Sequence, residues 1–317
     1  MEEIVTPIYL ITGFLESGKT TFLRFTLNQE YFAIDGKTLL ILCEEGEEEY
    51  DESELQESNT VVEIIDKEED LTYERLMSME IIHRPDRVVI EYNGMWLVSK
   101  FLEMRKPSGW GVDQQITCVD ASTYQVYMNN MKSLFMDMVR DTDMVIFNRC
   151  TTEDPLSSYR RGIKVANQRA EIIFEDEEGE IDDIFGEEMP FDINAPVIQV
   201  LPEDYGIWFV DAMDNPEKYD GKTVRFKARV VRPKGAPSRY FVPGRTAMTC
   251  CADDTTFLGY LCVYDKAAGL KKGSWVDLTA KIAVERRREY QGEEGIVLYA
   301  TIVKQCEPLE DEMVYFN

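Results

Sequence analysis

The chain has 317 residues, 44% of them hydrophobic and 11% aromatic, and carries a formal net charge of −26. That length accommodates two domains with cores of their own, and that composition excludes general disorder. The acidic balance excludes broad attraction to nucleic acid or anionic lipid, while leaving room for a local basic face.

The first predicted element is an apolar strand, Ile8 to Thr12, running directly into Gly13-Phe14-Leu15-Glu16-Ser17-Gly18-Lys19-Thr20-Thr21. This is the full G-x-x-x-x-G-K-[ST] pattern in its proper place after a strand. The glycines let backbone N–H groups curl around phosphate oxygens, Lys19 reaches the outer phosphates, and Thr20 offers its hydroxyl to Mg²⁺. The helix that follows adds the positive end of its dipole. Gly13, Glu16, Ser17, Gly18, Lys19, Thr20 and Thr21 are therefore the candidate phosphate-side residues.

Further apolar strands are predicted at Thr38 to Leu42, Val61 to Ile65, Arg87 to Ile90, Gln115 to Val119, Met144 to Phe147 and Ile172 to Phe174, most of them separated by helix-compatible stretches. Such alternation predicts a mainly parallel sheet covered by helices, an α/β P-loop NTPase domain. Glu44 follows the second of these strands at the mouth of the sheet and is a candidate metal-side acid, although it also opens a long acidic run. Glu91 ends the strand from Arg87, with Gly94 three residues on. It is the candidate for holding Mg²⁺ or the attacking water, and with Lys19 forms the candidate catalytic pair.

After the strand from Met144 comes Asn148-Arg149-Cys150-Thr151, where guanine-binding proteins usually carry N-K-x-D. Asn148 and Arg149 are the candidate base-side residues. Thr151 cannot accept from two guanine N–H groups as a carboxylate does, and Glu153 or Asp154 could compensate only by a loop shift. GTP is the expected nucleotide, with ATP left open.

A second acidic stretch, from Glu171 to Asp192, marks the boundary between a nucleotide-binding domain at 1–190 and a β-rich domain at 191–317. There a short helix around Trp208 to Met213 precedes five predicted strands, at Thr223 to Val231, Ala247 to Cys251, Thr256 to Tyr264, Trp275 to Val284 and Gly295 to Gln305. Five strands in so short a stretch suit a small all-β domain, an OB-like barrel, with a sandwich as the alternative. Arg225, Lys227, Arg229 and the run Arg286-Arg287-Arg288, near Tyr240 and Phe241, could bind single-stranded nucleic acid in a nucleic-acid ATPase. The net charge opposes that partner.

Seven cysteines without a secretory start fit reduced thiols or metal ligands rather than a disulfide framework. Cys250 and Cys251, with Asp253 and Asp254 close by and Cys262 on the next strand, are candidate ligands for a transition metal such as Zn²⁺. Neighbouring residues of a strand face opposite ways, so packed thiols are the competing reading. Cys43 reads as a packed thiol, and the single histidine, His83, lacks the neighbours a zinc site needs. No apolar run spans a membrane and Met1-Glu2-Glu3 lacks a basic leader, so the cytoplasm is the expected location.

Ile11 through Thr21, with Glu91-x-x-Gly94, Val119-Asp120-Ala121 and Asn148, resemble the CobW-type GTPases across roughly the first 190 residues. The resemblance implies a metallochaperone or metal-insertion GTPase with Mg²⁺ as nucleotide cofactor, a transition metal as cargo and a metalloprotein client. Two features depart from that family: Glu16 stands where its loop usually has glycine, and its C-x-C-C cluster, expected near Asn59 to Ile65, is absent. Asn215-Pro216-x-x-Tyr219-x-Gly221-Lys222-x-Val224, Met248 to Asp254 and Gly273-Ser274-Trp275-Val276 resemble the soluble domain of YcgQ-type proteins, from about Val197 to Asn317. That resemblance implies a membrane permease as partner. A slow GTP hydrolase stimulated by a partner is the expected activity, because the chain shows no obvious arginine finger. A nucleotide-responsive scaffold with little hydrolysis is the alternative.

Overall fold

Residues 4–44, 46, 48, 50–181, 189–249 and 254–315 are described by the structure, a computed structural model. The chain divides into two compact units, Met1–Leu156 with Ala166–Asp183, and Ser157–Val165 with Ile184–Asn317.

In the first unit β1 (Thr6–Thr12), β2 (Thr38–Leu42), β3 (Thr60–Ile64), β4 (Arg87–Glu91), β5 (Trp110–Asp120), β6 (Met144–Asn148) and β7 (Glu171–Phe174) form one seven-stranded sheet. Its order is β3-β2-β4-β1-β5-β6-β7, with every neighbouring pair parallel. Ile8, Leu10, Val88, Val89 and Ile90 are completely buried, as residues of both parities must be when helices cover both faces of a parallel sheet. The connections run through α1 (Lys19–Leu27), α2 (Glu52–Glu57), α3 (Tyr73–His83), α4 (Val98–Glu103), α5 (Ala121–Asn130) and α6 (Lys132–Val139), and the chain between β6 and β7 passes through α7 (Leu156–Ala166), most of which belongs to the second unit.

β5 is longer than its apolar run predicts. It starts at Trp110, and its register against β1 slips between Ile8 and Tyr9, so the polar leading stretch still pairs. Because β1 lies between β4 and β5 while the chain leaves it towards β2, a crevice opens at the carboxyl ends of β1 and β4.

The second unit contains Ser157–Val165 of α7, β8 (Ile198–Gln199), α8 (Tyr205–Asp214), α9 (Pro216–Tyr219), β9 (Thr223–Val231), β10 (Tyr240–Met248), β11 (Thr255–Gly259), β12 (Leu261–Val263), β13 (Trp275–Arg286), β14 (Glu294–Cys306) and β15 (Met313–Val314). β9, β10, β12, β14 and β13 close into a ring, in which only β12 and β14 pair in parallel. The result is a small β-barrel-like domain. Along β9, Val224, Phe226, Ala228 and Val230 face the core while Arg225, Lys227 and Arg229 stay exposed.

Two strand expectations need correction. The strand placed at Ala247 to Cys251 begins at Tyr240 and runs through Pro243, where β10 passes from β12 to β9 and then to β11. A proline without an N–H is tolerated at such a change of partner, although it masks the strand in sequence. The strand placed at Thr256 to Tyr264 breaks at Tyr260, whose ring stacks on Phe209 and whose hydroxyl donates to the Phe209 carbonyl at 2.6 Å. Cys250 and Cys251 lie outside the described residues.

Candidate functional site

The loop from Gly13 to Gly18 leads from β1 into α1 at Lys19. Gly18 is the N-cap of α1 in the left-handed region, φ 90°, and contributes no side-chain acceptor to the first turn. The exposed end of the helix dipole is thus presented to the crevice. A second glycine is required where the segment after β4 crosses the loop: a Cβ on Gly94 would stand 2.4 Å from the Gly13 carbonyl oxygen and 2.7 Å from Phe14 Cα. On the other flank, the Phe14 ring stacks on Tyr127 at 3.9 Å and fixes the loop against α5.

An open cleft lies over this loop, lined by Glu16, Lys19, Thr20, Glu44, Glu91 and Arg149 among others. Lys19 is only 3% exposed, and its Nζ donates to the Gly13 and Phe14 carbonyls at 3.0 and 2.9 Å and to Glu44 Oε2 at 2.6 Å. Thr20 Oγ1 donates to Glu91 Oε1 at 2.8 Å, and Tyr50 OH donates to Glu91 Oε2 at 2.5 Å. Burial pushes the Glu91 carboxyl up, against the opposing effect of the Tyr50 and Thr20 hydrogen bonds. Burial and the Glu91 charge raise Tyr50 too, so its hydroxyl stays a donor. Thr21 Oγ1 donates to Glu48 Oε2 at 2.9 Å.

Of the predicted phosphate-side residues, Glu16, Gly18, Lys19, Thr20 and Thr21 line one cleft with Glu91, whereas Gly13 and Ser17 do not line it. Glu44 reaches it as well, but on Lys19 rather than beside Thr20. Asn148 and Arg149 brace the loop from the carboxyl end of β6: Asn148 Nδ2 donates to the Ser17 carbonyl at 2.8 Å, and Arg149 Nη1 donates to the Glu16 carbonyl at 2.9 Å. Asn148 Oδ1 and Ser17 Oγ are both buried without a hydrogen-bond partner, which leaves an acceptor and a hydroxyl available beside the loop. Arg149 also pairs with Asp120 at 2.5 Å. Although burial works the other way, Ser122 and Arg149 hold the Asp120 carboxyl below the usual carboxylate range. Thr151 N and Oγ1 both donate to Asp154 Oδ2, at 2.7 and 2.8 Å, closing the turn where a guanine-reading acid usually sits.

Sequence reasoning missed Tyr50, Glu48 and the Asp120–Arg149 pair. Tyr50 lies inside an acidic run and bears no motif, and only the sheet order brings it to Glu91. Cys43 and Cys118 are buried near the cleft, and burial pushes both thiols up to about 12, so they are packed thiols rather than nucleophiles. Cys262 is fully buried in the barrel core, and burial raises its thiol far above the ordinary value. His83 Nε2 lies 2.7 Å from Glu63 Oε1. Among the described residues no cluster of three or more His, Cys, Asp or Glu side chains is arranged to hold a metal ion.

Residues 7–174 match the CobW/HypB/UreG nucleotide-binding domain. The chain belongs to this family. Residues 181–316 match the DUF1980 C-terminal domain. Among solved structures, the hydrogenase maturation factor HypB from Archaeoglobus fulgidus is similar at 16% identity, over 55% of this chain and 82% of that one, with a TM-score of 0.40. The Zn(II)-bound YjiA GTPase from E. coli is similar at 17% identity, over 82% of this chain and 89% of that one, with a TM-score of 0.43. No curated protein matches the chain. Among the described residues no helix is long and apolar enough to cross a membrane.

The family's usual loop glycine gives a physical measure of Glu16. This residue sits at φ 61°, in the left-handed region, where a side chain costs about 1–2 kcal/mol relative to glycine. Glu16 also lines the cleft over the loop. Glu16→Gly is expected to raise the melting temperature and to tighten Mg²⁺·GTP binding about fivefold, as read by calorimetry. Weaker binding would instead make the carboxylate a cation ligand.

Proposed function

We propose that the chain is a P-loop GTPase acting in metal handling, with hydrolysis slow until a partner stimulates it. The observation that carries this reading is the 2.8 Å contact between Thr20 and Glu91 beside Lys19 in a single cleft. A hydroxyl from the first turn of α1 and a carboxylate from the end of β4 are two hard oxygen donors, the kind Mg²⁺ takes, and the bound ion would neutralise charge between the outer phosphates. Lys19 and the backbone of Gly13 to Gly18 hold the phosphates, with Ser17 and Thr21 beside them. Glu91 orients water or metal, and Asn148 and Arg149 lie on the base side. GTP is favoured over ATP on family grounds.

The C-terminal ring has the closed five-strand pairing expected of an OB-type barrel, and we take it as the module that contacts a permease or a metalloprotein client in the cytoplasm. The metal cargo rests on the family, with Cys250 and Cys251 the thiols still to be tested. Turnover of GTP and ATP by the full chain, with Glu91→Gln as the comparison, tests the enzyme. GTP hydrolysis reduced about a hundredfold in Glu91→Gln with binding retained is the expected result. Binding by the wild type without turnover, under every divalent cation, would leave the scaffold reading.

A further inference from the structure

One short stretch of chain, between the end of β2 and the start of α2, supplies partners for three groups of the cleft. Glu44 is on Lys19, Glu48 is on Thr21, and Tyr50 is on Glu91, whose other oxygen is held by Thr20. The stretch is fixed at both ends: the Cys43 N–H donates to the Glu91 carbonyl at 2.9 Å, and Asp51 caps α2 by accepting from the Ser53 N–H. Between those anchors the side chains of Glu44, Glu48 and Tyr50 reach into the cleft. The Lys19–Glu44 pair is itself buried, with 3% and 10% of the two side chains exposed.

A carboxylate oxygen 2.6 Å from Lys19 takes the place that a phosphate oxygen needs. A polyphosphate entering while Glu44 remains would meet like charge at close range, with Glu48 and Glu16 adding to it. In the same arrangement both oxygens of Glu91 accept hydrogen bonds, leaving it poorly placed to receive a cation.

We propose that this is a self-occupied phosphate site, in which Glu44 stands in for phosphate on Lys19 and Tyr50 withholds Glu91. Nucleotide and its metal enter only by displacing both. Tyr50 is a positioning residue here, acting through Glu91. The inference rests on the phosphate-binding reading of the cleft and adds its regulation: a partner that draws Glu44 and Tyr50 away would raise nucleotide affinity without touching the phosphates. Apparent affinity is lowered by the fraction of molecules still closed.

Stopped-flow and calorimetric titration of the full chain with Mg²⁺·GTP, and with inorganic tripolyphosphate as a base-free probe, test it. In the wild type the observed association rate should level off as ligand rises, because opening limits it. In Glu44→Gln and in Tyr50→Phe that ceiling should lift, and Glu44→Gln should bind both ligands about tenfold more tightly. Tyr50→Phe removes one hydroxyl only, which keeps the test independent of any folding defect in Glu44→Gln. Lys19-dependent binding in the wild type, with weaker binding in Glu44→Gln or unchanged rates in both variants, would overturn the latch and leave the phosphate site standing. Wild-type and Lys19→Ala chains binding GTP equally would overturn the phosphate reading and the latch with it. No binding by any of the proteins, the two latch variants included, sinks both.

Discussion

Lys19→Ala is expected to lower affinity for Mg²⁺·GTP by at least about a hundredfold, close to 3 kcal/mol, because charge-assisted contacts to phosphate are lost in a partly desolvated cleft. Lys19 Nζ is held at the head of the loop by two backbone carbonyls, so its position is set before ligand arrives. The substitution has a second consequence, on stability. It leaves Glu44, 10% exposed, without its 2.6 Å cation, and breaking a buried pair from one side costs more than the pair contributes. A melting temperature lowered in Lys19→Ala should therefore recover in the double variant Lys19→Ala, Glu44→Gln, while GTP binding does not recover. Calorimetry for binding and a thermal melt for stability separate the two effects. Binding within threefold of the wild type would remove Lys19 from the phosphate site.

What the sequence made legible was local. The phosphate loop is a contiguous motif after an apolar strand, and Glu91 terminates another; both fall in the crevice because each strand ends at the same face of a parallel sheet. Glu44 shows where local reading stops. Its position after β2 suggested the metal side, but β4 lies between β2 and β1, so a side chain leaving β2 reaches the loop across the end of β4 and lands on Lys19. That depends on strand order, which spacing does not encode. Tyr50 and the Asp120–Arg149 pair were hidden for the same reason. In the barrel, alternation revealed β9 at both ends, whereas Pro243 concealed the first half of β10, since its role depends on which neighbour the strand is leaving.

The largest expected loss of stability comes from Trp208→Ala in the second unit. The helix predicted as a short one around Trp208 to Met213 is the centre of that unit's core: Tyr205, Trp208, Phe209, Val210 and Ala212 of α8 are all buried, and Trp208 is 0% exposed. Its ring packs at 4.9 Å from Phe226 of β9 and at 5.7 Å from Tyr260, edge to face. Hydrogen bonds from Tyr205 OH to the Leu258 carbonyl and from Tyr260 OH to the Phe209 carbonyl hold helix and strands in register around it. Truncation therefore opens a cavity that the surrounding aromatics cannot close, at a cost of about 3–5 kcal/mol. Trp208→Phe should lose much less, because the indole Nε1 has no hydrogen-bond partner and its removal strands no acceptor. A chain of two units need not unfold in one step, so the measurement is guanidinium denaturation followed with and without Mg²⁺·GTP. The transition that nucleotide leaves unshifted should move to lower denaturant in Trp208→Ala, and a midpoint equal to that of Trp208→Phe would show that α8 is not the keystone of the barrel.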